Sequence, residues 1–113
     1  MITIYHNPRC GKSRECLAFL VTSNQIYQVV KYLENPLNFN ELSELIRKLK
    51  LTPIGLIRTK ESIWVENYKN KKKSDKEIIQ SMVNHPILME RPIAVYGEKA
   101  VIARPLERIK EIL

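Results

Sequence analysis

The spacing of apolar residues changes along the chain, and each change marks an element. Ile2 and Ile4 alternate with Thr3 and Tyr5, all good β-formers, which predicts a strand ended by the loop signal Asn7-Pro8. From Gly11 onward Leu17, Leu20 and Val21 recur at helical spacing. A helix therefore opens near residues 10–13 and ends around Ser23-Asn24. Residues 27–33, with an apolar centre, read as a second strand. Strand, helix and strand within about 33 residues is the size of a βαβ unit.

The middle of the chain is helical. Asn38 with Glu41 forms a capping-box pattern, and Phe39, Leu42, Leu45, Ile46 and Leu49 then share one face. Pro53 opens a short helix carrying Ile54, Leu56, Ile57 and Arg58. Ser74 with Glu77 repeats the capping box ahead of Ile78, Ile79, Met82 and Val83, and Pro86 stops that helix. Residues 92–96 and 100–103, joined through Gly97-Glu98-Lys99, read as a hairpin. Pro105 starts a last helix with Leu106, Ile109 and Leu113 at helical spacing. The order β-α-β, helices, β-β-α predicts an α/β fold of βαβ…ββα type with a central helical insertion at about residues 38–84.

At 113 residues the chain reads as one domain, 1–113, and 44% hydrophobic against 27% charged residues is a globular composition. No apolar run approaches the ~18–20 residues of a membrane span. Residues 1–9 lack the pattern of a secretion signal. Two cysteines are no disulfide framework, and together these features point to the cytoplasm. No histidine–cysteine spacing suits a metal. The net charge of +7 is compatible with an anionic partner or substrate. Part of it lies in the run Lys69, Lys71, Lys72 and Lys73, read as a solvated loop because like charges repel and stay exposed. No aromatic residue interleaves that run, which argues against nucleic acid.

The chemistry concentrates at Cys10, between the first strand and the first helix. A helix N-terminus offers unpaired N–H groups and partial positive charge, which stabilise a thiolate. Such placement lowers a cysteine pKa from ~8.5 to roughly 3.5–7.5 and makes the sulfur a nucleophile. Arg9, Lys12 and Arg14 flank it and add to the effect, and His6 adds charge or a hydrogen bond. The motif Cys10-Gly11-Lys12-Ser13 has no second cysteine, so turnover needs a thiol from elsewhere. Cys16 shares a stripe with Phe19 and Leu20 and reads as a buried structural residue. Arg58, Arg91 and Arg104 each end a predicted element, and guanidinium groups bind tetrahedral oxyanions through paired planar hydrogen bonds. Arg91, at the start of the third strand, can face Cys10 in a βαβ…ββα fold.

Residues 4–14 (Ile-Tyr-His-Asn-Pro-Arg-Cys-Gly-Lys-Ser-Arg) resemble the active-site segment of the glutaredoxin-dependent arsenate reductases. Residues 85–93 (His-Pro-Ile-Leu-Met-Glu-Arg-Pro-Ile) resemble that family's second signature, and Leu56-Ile57-Arg58 and Ala103-Arg104-Pro105 fall where its other arginines are expected. The resemblance runs from Ile2 to the last helix and implies a thioredoxin-like (glutaredoxin-like) fold with a cis Pro92 against the Cys10 loop. It implies that Cys10 attacks arsenate while Arg58, Arg91 and Arg104 hold the oxyanion. His6, Asn7, Gly11, Lys12, Ser13, Arg14 and Pro92 would support the site. Glutathione would be co-substrate, with no bound cofactor, and glutaredoxin would remove it as a mixed disulfide. Lys12, where the family often has Thr, and Cys16 depart from its pattern. The chain matches the family's short members, which lack a C-terminal extension.

Two other readings use the same fold. One is a glutathione-dependent thiol oxidoreductase with no arsenate activity, for which the arginines would be dispensable. The other is an Spx-type regulator that contacts RNA polymerase, against which Ser13 counts, since those regulators carry a C-x-x-C switch.

Overall fold

The computed structural model describes residues 1–113, in two compact units. One comprises Met1–Asn35 with Arg91–Leu113, the other Pro36–Glu90.

The first unit is built on a four-stranded sheet in the order β2-β1-β3-β4, formed by β1 (Ile2–Tyr5), β2 (Tyr27–Val30), β3 (Ile93–Tyr96) and β4 (Lys99–Ile102). β1 and β2 are parallel, because helix α1 (Gly11–Val21) makes the crossover between them. β3 is antiparallel to β1, with Tyr5 opposite Ile93, and to β4, with Ile93 opposite Ile102. The alternation in β1 sends Ile2 and Ile4 into a core with Cys16 and Leu20 of α1, Ala94, Val101, Ala103, Ile109 and Ile112. Each large aliphatic side chain so buried contributes about 1.5–3 kcal/mol.

β2 stops at Val30 rather than at residue 33. The N–H groups of Glu34 and Asn35 turn back onto the Lys31 carbonyl, which takes Tyr32 and Leu33 out of the sheet. The last helix is a 3-10 turn, Leu106–Glu111, and Pro105 caps it instead of opening it. Both Arg91-Pro92 and Arg104-Pro105 are cis.

In the second unit α2 (Phe39–Leu49) and α4 (Asp75–Asn84) begin at the two expected capping boxes, each closed in both directions. Asn38→Ala should lower stability by about 1 kcal/mol, read as an earlier urea midpoint. An unchanged midpoint would mean that the box contributes nothing. Pro53–Leu56 and Pro86–Leu88 are 3-10 turns. Between them Ile57 pairs with Met89 in an antiparallel bridge, flanked by Arg58 N–H to Leu88 O and Glu90 N–H to Leu56 O, both 2.8 Å. A further helix, α3 (Ser62–Asn67), escapes the sequence pattern: it is six residues long, lacks a side-chain cap and buries only Trp64. No helix is long and apolar enough to cross a membrane.

Candidate active site

The site grows from the loop between β1 and α1. The ladder continues past the strand, with His6 N–H bonded to Val30 O at 2.9 Å. Asn7 then organises the turn: its Oδ1 accepts the Arg9 N–H at 3.0 Å and its carbonyl accepts the Cys10 N–H at 3.0 Å. The Arg14 guanidinium donates to Pro8 O at 3.1 Å. Ser13, completely buried, reaches back seven residues. Its Oγ lies 2.8 Å from His6 Nδ1 and accepts the Asn7 N–H at 3.0 Å. His6 and Asn7 are themselves buried.

Cys10 is the N-cap residue of α1, with extended backbone, and its thiol is buried. Burial alone would push its pKa up. The backbone N–H of Ser13, the charge of Arg91, the backbone N–H of Lys12 and a hydrogen bond from Arg91 together outweigh it, and the thiol ionises below the ordinary value. No side-chain capping bond is closed on Cys10, so the two N–H groups act mainly as dipoles turned toward the sulfur.

Arg91 comes to Cys10 because β3 begins beside the end of β1. The register that pairs Tyr5 with Ile93 brings His6 opposite Pro92 one step on, with Arg91 next. Ala103 N–H donates to Pro92 O at 2.9 Å, extending the hairpin, so exposed Arg104 lies at the same end of the hairpin as Arg91. Arg91 has no carboxylate partner, and its Nε is buried without a hydrogen bond. Arg58 belongs to the second unit. Its Nη1 is 3.0 Å from Glu61 and its Nε 3.8 Å from Glu90, so its charge is already engaged.

The flanking cations do not play the part expected of them. Lys12 pairs with Glu15 at 3.6 Å, Arg14 is bonded to Pro8 O, and Arg9 points to solvent. Lys12 helps lower the thiol pKa through its backbone N–H, after Ser13 and Arg91, and not through its ammonium group. Nor does His6 supply charge. Burial lowers its pKa, Lys31 and Arg14 lower it further, and Ser13 opposes them only in part, so the ring is neutral at pH 7. Gly11 opens α1 at the surface, where an added Cβ would meet Arg14 at 3.7 Å, an ordinary contact.

The model of the ArsC family matches residues 5–112. The chain belongs to the ArsC family. Its relatives there include an arsenate reductase of Neisseria meningitidis serogroup A, 38% identical over 99% of this chain and 97% of that protein. The uncharacterized protein YfgD of Escherichia coli K12 is 43% identical over 99% of this chain and 96% of its own length. The solved structure of an arsenate reductase from Vibrio cholerae superposes with a TM-score of 0.94 at 41% identity, covering 99% of this chain and 97% of that one. The fold is thus the thioredoxin-like ArsC fold.

Within this ArsC chain Cys16 is fully buried, and desolvation pushes its thiol up to about 11. It is inert at neutral pH. The lysine run is not bare of aromatic contact: Lys73 sits 5.5 Å from the Tyr68 ring, which stacks on Trp64 at 5.2 Å, and Lys73 also pairs with Glu77. Lys69, Lys71 and Lys72 are exposed.

Proposed function

We propose that the chain is an arsenate reductase whose nucleophile is the Cys10 thiolate. One observation carries the reading: a thiol at a helix N-terminus, its pKa lowered by backbone N–H groups and Arg91, faces a guanidinium that has no carboxylate partner and keeps a buried Nε–H unused. Buried donors almost always find a partner, and a tetrahedral oxyanion supplies acceptors in the planar arrangement that arginine matches. The names of the Neisseria and Vibrio relatives support arsenate as that oxyanion.

The thiolate displaces one arsenate oxygen, which leaves as water, and an S–As(V) bond forms. Arg91, with Arg104 at the same end of the hairpin, balances the negative charge of the remaining oxygens. Glutathione displaces a second oxygen as water and binds arsenic through its sulfur. The glutaredoxin thiol then attacks that sulfur, the S–As electron pair stays on arsenic, and As(V) becomes As(III). Water cleaves the remaining S–As bond, releases arsenite and restores Cys10. Two thiols have become one mixed disulfide, and arsenic has gained their two electrons. An external second thiol is required because the Cys10 motif ends in Ser13 and Cys16 is sealed in the core. The glutathione-rich cytoplasm suits such a reaction.

The test couples the reaction to glutathione reductase and follows NADPH. Arsenate-dependent consumption is expected only when glutathione and glutaredoxin are both present. No consumption in the complete system would refute arsenate as substrate. Arsenite formed equally well when another dithiol reductant replaces glutathione and glutaredoxin would refute the reductant assigned.

A further inference from the structure

Ser13 does more than fill space in α1. It is 0% exposed, yet its hydroxyl is the meeting point of two groups from the preceding loop, the His6 ring and the Asn7 N–H. A hydroxyl has one proton to donate and two lone pairs, so both contacts are met by one oxygen. The other side-chain ties on this loop lie nearer the surface: Arg9 N–H to Asn7 Oδ1 is part-buried and Arg14 to Pro8 O is exposed. Among the side chains of α1, only Ser13 holds the buried residues 6 and 7. Cys10 follows them, because its own N–H is bonded to the Asn7 carbonyl at 3.0 Å.

We infer that Ser13 is a positioning residue: by holding the His6 ring and the Asn7 N–H on one oxygen, it fixes the loop so that Cys10 faces the N–H groups of α1 and the Arg91 guanidinium. The inference rests on Cys10 being the nucleophile, but not on arsenate being the substrate. The groups around the assembly are consistent with a neutral, purely structural His6. Lys31 beyond β2 and Arg14 from α1 both oppose a charged ring, while Arg91 acts on Cys10. Without the hydroxyl, the Asn7 N–H and a ring nitrogen would be left unpaired in a buried place, and the loop would have to shift to satisfy them.

The test is the pH profile of Cys10 alkylation by iodoacetamide, with folding followed by circular dichroism. Cys16 does not interfere, being buried with a thiol pushed up to about 11. In Ser13→Ala the midpoint should rise by about one pH unit, as hydrogen-bonded support of the thiolate is lost. Ser13→Thr and Ser13→Val, alike in size but not in hydroxyl, keep the comparison valid if alanine does not fold. Thr should stay nearer the wild-type midpoint and Val should move up. His6→Ala combined with Ser13→Ala should move the midpoint no further than the larger single change, since both cut the same tie. Folded Ser13→Ala with an unmoved midpoint, or Thr and Val with equal midpoints, would overturn the inference. Because no arsenate is present, either result is independent of the NADPH assay.

Discussion

Cys10→Ser is expected to fold as the wild type does and to reduce no arsenate above background. The physical reasons for the two halves are separate. Sulfur and oxygen differ little in size, and serine is a preferred N-cap residue, whereas the Cys10 side chain closes no capping bond of its own. Thermal stability should therefore be unchanged or slightly raised. Chemically, the hydroxyl does not ionise in the accessible range, so neither the N–H groups of Lys12 and Ser13 nor Arg91 can make it a nucleophile at neutral pH. Loss of an enzyme nucleophile removes on the order of 10⁴–10⁶ in rate. Cys16 cannot substitute, because it is buried and protonated. Substantial activity in folded Cys10→Ser would mean that another group performs the attack.

Arg91→Ala should reduce kcat/KM by about 10²–10³, the scale of losing one oriented oxyanion donor. It should also move the acid limb of the activity profile upward. The sign follows from the site: Arg91 lowers the Cys10 pKa through both its charge and a hydrogen bond. Without it the thiol titrates closer to the ordinary ~8.5, so the variant loses most at low pH and least where the thiol is ionised anyway. Arg91→Lys separates the two roles. It returns a positive charge near the sulfur but not the planar fork, so the thiol midpoint should largely recover while kcat/KM does not. Equal recovery of both by lysine would reduce Arg91 to a simple charge. A variant Arg91→Ala with wild-type kcat/KM would remove it from oxyanion binding altogether.

Legibility in the sequence tracked how local each interaction is. β1, α1 and the capping boxes at Asn38 and Ser74 depend on neighbours within a few residues, and their signals stand in the chain itself. α3 gave no such signal, because one buried Trp64 in six residues sets up no period. The early end of β2 follows from a turn on the Lys31 carbonyl that its apolar composition conceals. In the site, Cys10 was readable from its place between strand and helix, and Arg91 from the βαβ…ββα order. Proximity in sequence misled at Arg9, Lys12 and Arg14, whose long side chains reach solvent, Glu15 and Pro8 instead. The tie from Ser13 to His6 and Asn7 spans seven and six residues with no periodic signature. Only the fold reveals it.

The most direct measurement is chromatographic separation of arsenite from arsenate after incubation with wild-type protein, glutathione, glutaredoxin, glutathione reductase and NADPH. If the Cys10 thiolate reduces arsenate as proposed, arsenite should accumulate in step with the NADPH consumed, one molecule for each. It should not form with Cys10→Ser. Unchanged arsenate beside active auxiliary enzymes, or equal arsenite from wild type and Cys10→Ser, would contradict the proposal.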